Sequence, residues 1–251
     1  MLKINFPGGA KRLGLIALLA ALTACGGGGD DAAAPTPVVI PPVAQVSPGN
    51  WVVMGSSTAA GAGAPSGKGW VALVSTAFAT HGAQVVNLAK GGSVTYEGLS
   101  ASAPRVQGRP ATDPAFNIDQ ALSRKPVLLI VSYPTNDTAK GYSADEIVNN
   151  LLAIRSQALA AGVPVLVASS QPRSLSDAQL AQLRAIDKRL AASVGPCLVD
   201  IRQPLAAADG RLAAAYDSGD GVHPNESGHL IIANQIKQLI DSKKCVSTSA
   251  I

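Results

Sequence analysis

Five short runs made almost wholly of apolar residues constrain this chain more than any other feature: WVVMG at 51–55, VVNLA at 85–89, VLLIVSY at 127–133, VPVLVAS at 163–169 and CLVDI at 197–201. A strand with one wet face alternates apolar and polar side chains, whereas a run apolar at nearly every position needs cover on both faces. Between the runs lie segments of helical length. Trp70–His81 ends at Gly82, a residue type that terminates helices in the left-handed conformation. Ser143-Ala-Asp-Glu146 and Ser176-Asp-Ala-Gln179 have the form of capping boxes, opening helices to about Ala161 and toward Val194, and Asn225–Asp241 supplies a last helix. Doubly covered strands, each followed by a helix, predict an α/β protein: a single-domain three-layer α/β/α sandwich around a five-stranded parallel sheet. In such a sheet ligands bind beyond the carboxyl ends of the strands, so chemistry is expected in the loops that follow them.

Four loops carry reactive groups. Gly55-Ser56-Ser57-Thr58-Ala59-Ala60-Gly61 follows the first run, Asn87-Leu88-Ala89-Lys90-Gly91-Gly92 ends the second, Pro134-Thr135-Asn136-Asp137 follows the third, and Asp220-Gly221-Val222-His223-Pro224-Asn225 precedes the last helix. Acyl transfer needs a hydroxyl nucleophile, an imidazole to take its proton, a carboxylate to orient the imidazole, and donors for the oxyanion. Ser57, His223 and Asp220 have those capacities in that order. The backbone N–H of Ser57, the N–H of Gly92, where a missing Cβ permits close approach, and the Asn136 amide are the candidate oxyanion donors. Taken singly, each has a plainer role: serine in a turn, glycine in a turn, Asn136-Asp137 as a capping pair, and a surface histidine. Four such roles would have to coincide on one edge of one sheet.

These four blocks, in this order, resemble the SGNH (GDSL-like) hydrolase family, named for a Ser, a Gly, an Asn and a His that fall here on Ser57, Gly92, Asn136 and His223. The family's Asp-x-x-His pairing falls on Asp220 and His223, and the resemblance spans roughly residues 50–241. It implies a flavodoxin-like fold and a serine esterase with no cofactor, acting on a small-molecule or polysaccharide ester, a lipid among them. Two positions depart from the family pattern. Gly-Asp-Ser is Gly55-Ser56-Ser57 here, which leaves Ser56 as an alternative nucleophile, and the Gly-x-Asn-Asp block begins with Pro134, which deletes an N–H. The departures also leave open a catalytically silent, lipid-anchored module that binds glycan or acyl ligands, and transfer of the acyl group to an alcohol in place of water.

Upstream of the first strand, Lys3, Lys11 and Arg12 precede the apolar run LGLIALLAALTA, too short to span a bilayer stably, and residues 1–24 read as a signal peptide. Leu22-Thr23-Ala24-Cys25 resembles the bacterial lipobox, which implies cleavage before Cys25, lipidation of that cysteine and attachment to a membrane. Gly26 rather than Asp after the cysteine implies, by resemblance to Gram-negative lipoproteins, the outer membrane. The alternative is an ordinary secretory signal with an incidental cysteine. Residues 25–49 are rich in Gly and Pro and read as a tether, 50–245 as the folded domain and 246–251 as a tail. In an oxidising envelope Cys197 and Cys245 form a disulfide or remain two buried thiols. Three of the 20 Lys and Arg residues lie in the leader, so the remainder nearly balances the 16 Asp and Glu. With no dense basic run beyond it, a nucleic-acid partner is not expected.

Other motifs fail. In GAGAPSGKGW (61–70) Ala62 stands where a phosphate loop needs its first glycine, and Gly69 where it needs Ser or Thr. Asp220, His223, Glu226 and His229 lack the paired spacing of a zinc site, so no metal is expected. His229 is expected to pack or cap locally on the last helix, and Asp137 to be structural.

Overall fold

The computed structural model describes residues 43–133 and 135–248. The leader, Cys25 and Pro134 lie outside the described residues.

In chain order the strands are β1 (Ala44–Val46), β2 (Gly49–Gly55), β3 (Ala83–Asn87), β4 (Leu128–Ser132), β5 (Val165–Ala168), β6 (Leu198–Val199) and β7 (Val246–Thr248). The helices are α1 (Trp70–Phe78), α2 (Thr95–Gly98), α3 (Ile118–Ser123), α4 (Thr135–Ala139), α5 (Ala144–Ala160), α6 (Asp177–Val194), α7 (Arg202–Leu205) and α8 (Glu226–Asp241). A five-stranded parallel sheet runs β3-β2-β4-β5-β6, flanked by helices on both faces. Successive strand side chains point to opposite faces. Val52 and Met54 of β2 therefore join Leu129, Val131, Val165 and Val167 in a core beneath α3, α5 and α6. Trp51 and Val53 join Leu128, Ile130 and Leu166 beneath α1, α7 and α8. Burial on both sides is why the runs carry no polar alternation.

The caps behave as their sequences dictate. Ser143 and Ser176 accept from the backbone of Glu146 and Gln179, whose side chains return to the cap N–H, and Asn225 accepts from Gly228 N to open α8. Gly82, at φ 71°, closes the 3₁₀ turn that follows α1. Two of the apolar runs, 85–89 and 197–201, stop two residues short as strands. β3 ends at Asn87 because the Asn87 Oδ1 accepts from Ala89 N and turns the chain. β6 stops at Val199 because the Asp200 carboxylate accepts from Arg202 N and Gln203 N, starting α7 in place of two more strand residues.

The folded unit also extends beyond the 50–245 expected for it. Ala44–Val46, assigned by composition to the tether, pairs in parallel with Val246–Thr248, assigned to the tail. Val46 and Val246 are both buried, so each three-residue strand has an apolar anchor that its Pro-rich or polar flanks conceal in sequence. Beside this ladder Cys197 and Cys245 are joined in a disulfide, their Cα atoms 4.9 Å apart, so the segment leading into β7 is tied to the entrance of β6. Bridging residues 48 apart in sequence restricts the unfolded chain; reduction is expected to cost about 2–4 kcal/mol. Calorimetry with and without reductant should show the melting midpoint fall by roughly 6–12 °C.

One buried polar group ties α8 to the rest of the fold. His229 is fully buried, its Nδ1 accepting from Trp70 N at 3.1 Å and its Nε2 facing Ala62 O at 2.9 Å. A carbonyl only accepts, so Nε2 carries the hydrogen and the ring is neutral. Burial pushes its pKa below the usual 6.5. The unfolded chain then takes up a proton as pH falls below about 6.5 where the folded chain does not, so stability falls with pH in that range. His229→Gln, which keeps one donor and one acceptor but does not titrate, should show a smaller drop in melting midpoint between pH 7.5 and 5.5 than wild type. Equal drops would remove His229 as the source.

Candidate active site

The strand order reverses at β2: the chain steps from β2 outward to β3, then returns to β4 on the other side. The loops after these three strands converge at that reversal, which is where a cleft forms in an open parallel sheet. Gly55 ends β2 against β4. A Cβ there would stand 2.5 Å from Ser132 O and 2.8 Å from the Ala59 Cβ, so glycine is what allows the chain to turn without parting the two strands. Ser56 N donates to Ser132 O (3.2 Å), which holds Ser56 against the end of β4, and its side chain is buried. Ser57, one residue on, is only partly buried, in a turn closed by Ala60 N to Ser56 O and Ala62 N to Ser57 O, both 2.9 Å.

His223 comes from 166 residues away and places Nε2 2.8 Å from Ser57 Oγ. Its Nδ1 lies 2.6 Å from Asp220 Oδ2. Asp220 Oδ1 accepts in addition from Val222 N and His223 N, both at 2.8 Å. The His223 N–H, then the imidazole and the Val222 N–H, hold the Asp220 carboxyl well below the ordinary aspartate range, so it is ionised. An ionised carboxylate only accepts, so Nδ1 carries a hydrogen toward it, which in the tautomer with that single hydrogen makes Nε2 the acceptor of the Ser57 hydroxyl. Behind this loop Asp217 accepts from Gly219 N and Gly221 N (both 3.0 Å), and Ser218 N donates to His223 O (3.0 Å).

The Gly92 loop is bound back to β2 through Lys90 N and Gly55 O (3.1 Å). Gly92 sits at φ 78°, a conformation open to glycine. Asn136, on α4, donates from Nδ2 to Ser93 O at 3.0 Å, so the amide lies against the same loop. Among the described residues neither Ser57 N nor Gly92 N donates to a protein acceptor. Two backbone N–H groups and the second Asn136 amide hydrogen thus remain for a ligand oxygen. Asp137, the neighbour of Asn136, is fully buried and accepts from Thr95 N (3.0 Å) and the Thr95 hydroxyl (2.5 Å). Burial pushes its pKa up to about 6, and its bonds fasten α4 to the segment after Gly92.

A fifth loop, Ser169–Ser174 after β5, was not singled out by sequence. Gln171 is buried and bridges two of the other loops, accepting from the Thr58 hydroxyl and donating to Val222 O. Arg173 Nη1 donates to Asn136 Oδ1 at 3.0 Å, and Ser174 N donates to Gly221 O at 2.7 Å. The signal available in sequence was a cluster of polar residues directly after an all-apolar strand, at the sheet edge where the other blocks lie. The stretch 61–70, rejected as a phosphate loop, has a packing role instead. At Gly63, with φ 92°, an added Cβ would lie 2.2 Å from Pro224 O and 2.9 Å from the His223 Cβ.

A cleft of about 390 Å³ opens beside the Ser57 turn between α1 and β3, lined in part by Ala59, Gly61, Pro65, Val71 and Asn87. Ser57 and His223 do not line it, and their geometry defines the site independently of it. A serine hydroxyl within hydrogen-bond reach of an imidazole nitrogen, with an ionised carboxylate behind that ring, can generate a nucleophile, and N–H donors left free on the neighbouring loops can hold a tetrahedral oxyanion.

Comparison with known proteins bears on the whole domain. Residues 53–231 match the model of the GDSL-like lipase/acylhydrolase family. The fold is similar to that of the psychrotrophic esterase EstA from Pseudoalteromonas sp. (TM-score 0.59, 14% identity, 77% of this chain and 97% of that one), solved inhibited by monoethylphosphonate. It is also similar to a GDSL-like lipase from Bacteroides thetaiotaomicron (TM-score 0.56, 21% identity, 77% and 88%) and to a member of the lipolytic protein G-D-S-L family from Veillonella parvula (TM-score 0.57, 17% identity, 76% and 98%). A search of curated proteins by sequence returned no match.

Proposed function

Because the chain belongs to the GDSL-like lipase/acylhydrolase family, we propose that it hydrolyses carboxylic esters in the cell envelope through an acyl-serine intermediate formed on Ser57. The observation that carries this reading is the unbroken hydrogen-bond chain from Asp220 through His223 to Ser57, 2.6 and 2.8 Å long, built from two loops at opposite ends of the domain.

His223 Nε2 takes the hydroxyl proton as Ser57 Oγ attacks the ester carbonyl, and Asp220 stabilises the imidazolium that results. The carbonyl oxygen, now an oxyanion, is held by Ser57 N–H, Gly92 N–H and the free amide hydrogen of Asn136. The tetrahedral species collapses, the C–O bond to the alcohol breaks, and His223 returns the proton to the leaving oxygen. Water then repeats the sequence on the acyl-serine, its proton passing to His223 and back to Ser57 as the acid departs. No step requires a cofactor. Ser56 is not the nucleophile in this reading, since its side chain is buried and it is Ser57 Oγ that meets the imidazole.

The location is read from the Leu22-Thr23-Ala24-Cys25 motif: a lipid on Cys25 would hold the domain at the outer membrane, which favours O-acetylated polysaccharide and other extracellular esters as substrates. Labelling with a fluorophosphonate tests the chemistry. The probe should modify Ser57 of wild type, and an ester series from acetyl to long acyl chains, including acetylated xylan, should identify the preferred substrate. Labelling that persists in Ser57→Ala, or ligand binding with no turnover of any ester, would return the protein to the class of silent binding modules. Radiolabelled palmitate incorporated by wild type and not by Cys25→Ala tests the anchor.

A further inference from the structure

Arg173 lies outside all four sequence blocks, on the loop after β5, yet it makes a direct bond to the oxyanion side of the site. Its Nη1 donates to Asn136 Oδ1 at 3.0 Å, while Nδ2 of the same amide donates to Ser93 O at 3.0 Å. A carboxamide has one acceptor oxygen and two N–H donors. Turned over, this amide would point its NH₂ at a guanidinium and its oxygen at a carbonyl, two mismatches where there are now two bonds. Arg173 and Ser93 O together therefore specify which way Asn136 faces, and leave one Nδ2 hydrogen free beside the Gly92 loop. The Arg173 side chain is itself half-buried, with Nε enclosed and without a protein acceptor among the described residues. A charge so placed is little screened by water and acts strongly on the amide it touches.

We propose that Arg173 is the positioning residue of the oxyanion site, fixing the Asn136 carboxamide through Oδ1 and, by polarising it, strengthening the Nδ2–H that meets the developing oxyanion. The proposal rests on the esterase reading above and adds a residue to it. The effect belongs to the transition state, because negative charge gathers on the carbonyl oxygen only as the tetrahedral species forms and not in the bound ester, so it enters kcat rather than KM.

The test is a double-mutant cycle on p-nitrophenyl acetate: wild type, Arg173→Met, Asn136→Ala and the combination. Arg173→Met should lower kcat about 10–100-fold with KM within about twofold. In the Asn136→Ala background the same substitution should cost less than about threefold, since the amide it positions is gone. A loss of equal size in both backgrounds, or an unchanged kcat in the single variant, overturns the proposal, because a general structural role would act whether or not Asn136 is present. If Arg173→Met does not reach the wild-type circular dichroism spectrum, Arg173→Gln enters the cycle in its place with the same two outcomes. Wild-type protein that hydrolyses no ester and takes up no fluorophosphonate overturns the underlying esterase reading, a result distinct from an active enzyme insensitive to Arg173.

Discussion

Ser57→Ala should leave hydrolysis of p-nitrophenyl acetate roughly 10⁴–10⁶-fold below wild type in kcat, with KM within about twofold, while Ser56→Ala stays within roughly fivefold of wild type. The asymmetry follows from where β2 ends. Ser56 N is still hydrogen-bonded to the last residue of β4 and its side chain is buried, whereas the chain has turned by Ser57 and its Oγ sits 2.8 Å from His223 Nε2. Removing Oγ removes the bond-forming atom and leaves the oxyanion donors, which are backbone N–H groups and the Asn136 amide, in place. Residual rate above the uncatalysed reaction is therefore expected in Ser57→Ala. Steady-state kinetics on the two single variants and on the pair, purified from a host lacking other esterases, measures this. Loss of turnover in Ser56→Ala with turnover retained in Ser57→Ala would exchange the two serines and break the argument from strand geometry.

The sheet and the reactive loops were legible because each rests on a local signal that the fold does not override. A run such as VLLIVSY carries its own evidence of double burial, and Ser143 with Glu146 forms a cap from residues three apart. Asp220 and His223 are likewise neighbours in sequence, close enough for one loop to hold both. What sequence could not show depends on partners far apart. Ala44 pairs with Val246 across almost the whole chain, and nothing in AQV or VST marks either as a strand without the other. Cys197 and Cys245 could be counted as a pair, but their separation is a product of where the fold brings the residues that precede β6 and β7. Gln171 and Arg173 escaped notice for a similar reason. Neither reacts, and their importance lies in what they touch: Gln171 joins Thr58 to Val222 O, and Arg173 reaches Asn136.

Gly63 shows how the same stretch of sequence can suggest a function and serve a different one. Residues 61–70 are glycine-rich enough to be weighed as a phosphate loop, yet at Gly63 the glycine is needed because the chain passes against Pro224 O and the His223 Cβ. The segment after the nucleophile thus sets how near the histidine loop can come. His229 reinforces the arrangement from beneath, receiving Trp70 N at the start of α1 and facing Ala62 O in the Ser57 turn. Precision at the Ser57–His223 contact is therefore produced by backbone packing on one side and by Gln171 on the other. Displacement of about 1 Å in such a contact is enough to lower a rate about 10²-fold.

Asp220→Asn is expected to lower kcat by about 10³–10⁴-fold while leaving the fold and KM nearly unchanged. The argument turns on the two oxygens of Asp220. Oδ1 is occupied by the Val222 and His223 N–H groups, and Oδ2 faces His223 Nδ1. An asparagine at this position keeps its single oxygen on the two backbone donors, which fixes the amide and turns its NH₂ toward the imidazole. Nδ1 must then accept, the ring hydrogen moves to Nε2, and Nε2 can no longer take the proton of Ser57. The substitution acts by reversing the tautomer more than by deleting a charge, so Asp220→Glu, which keeps an acceptor with altered reach, should lose less. In wild type the Asp220 carboxyl is held below its ordinary value of 3.8, so it stays ionised as pH falls to that value and its own protonation sets no limb of the kcat profile above it. Nitrogen-15 NMR of the histidine rings near neutral pH reads the tautomer directly: hydrogen on Nδ1 of His223 in wild type, and on Nε2 in Asp220→Asn. A variant that loses activity while keeping the wild-type tautomer would assign the effect to charge alone and overturn this account of the loop.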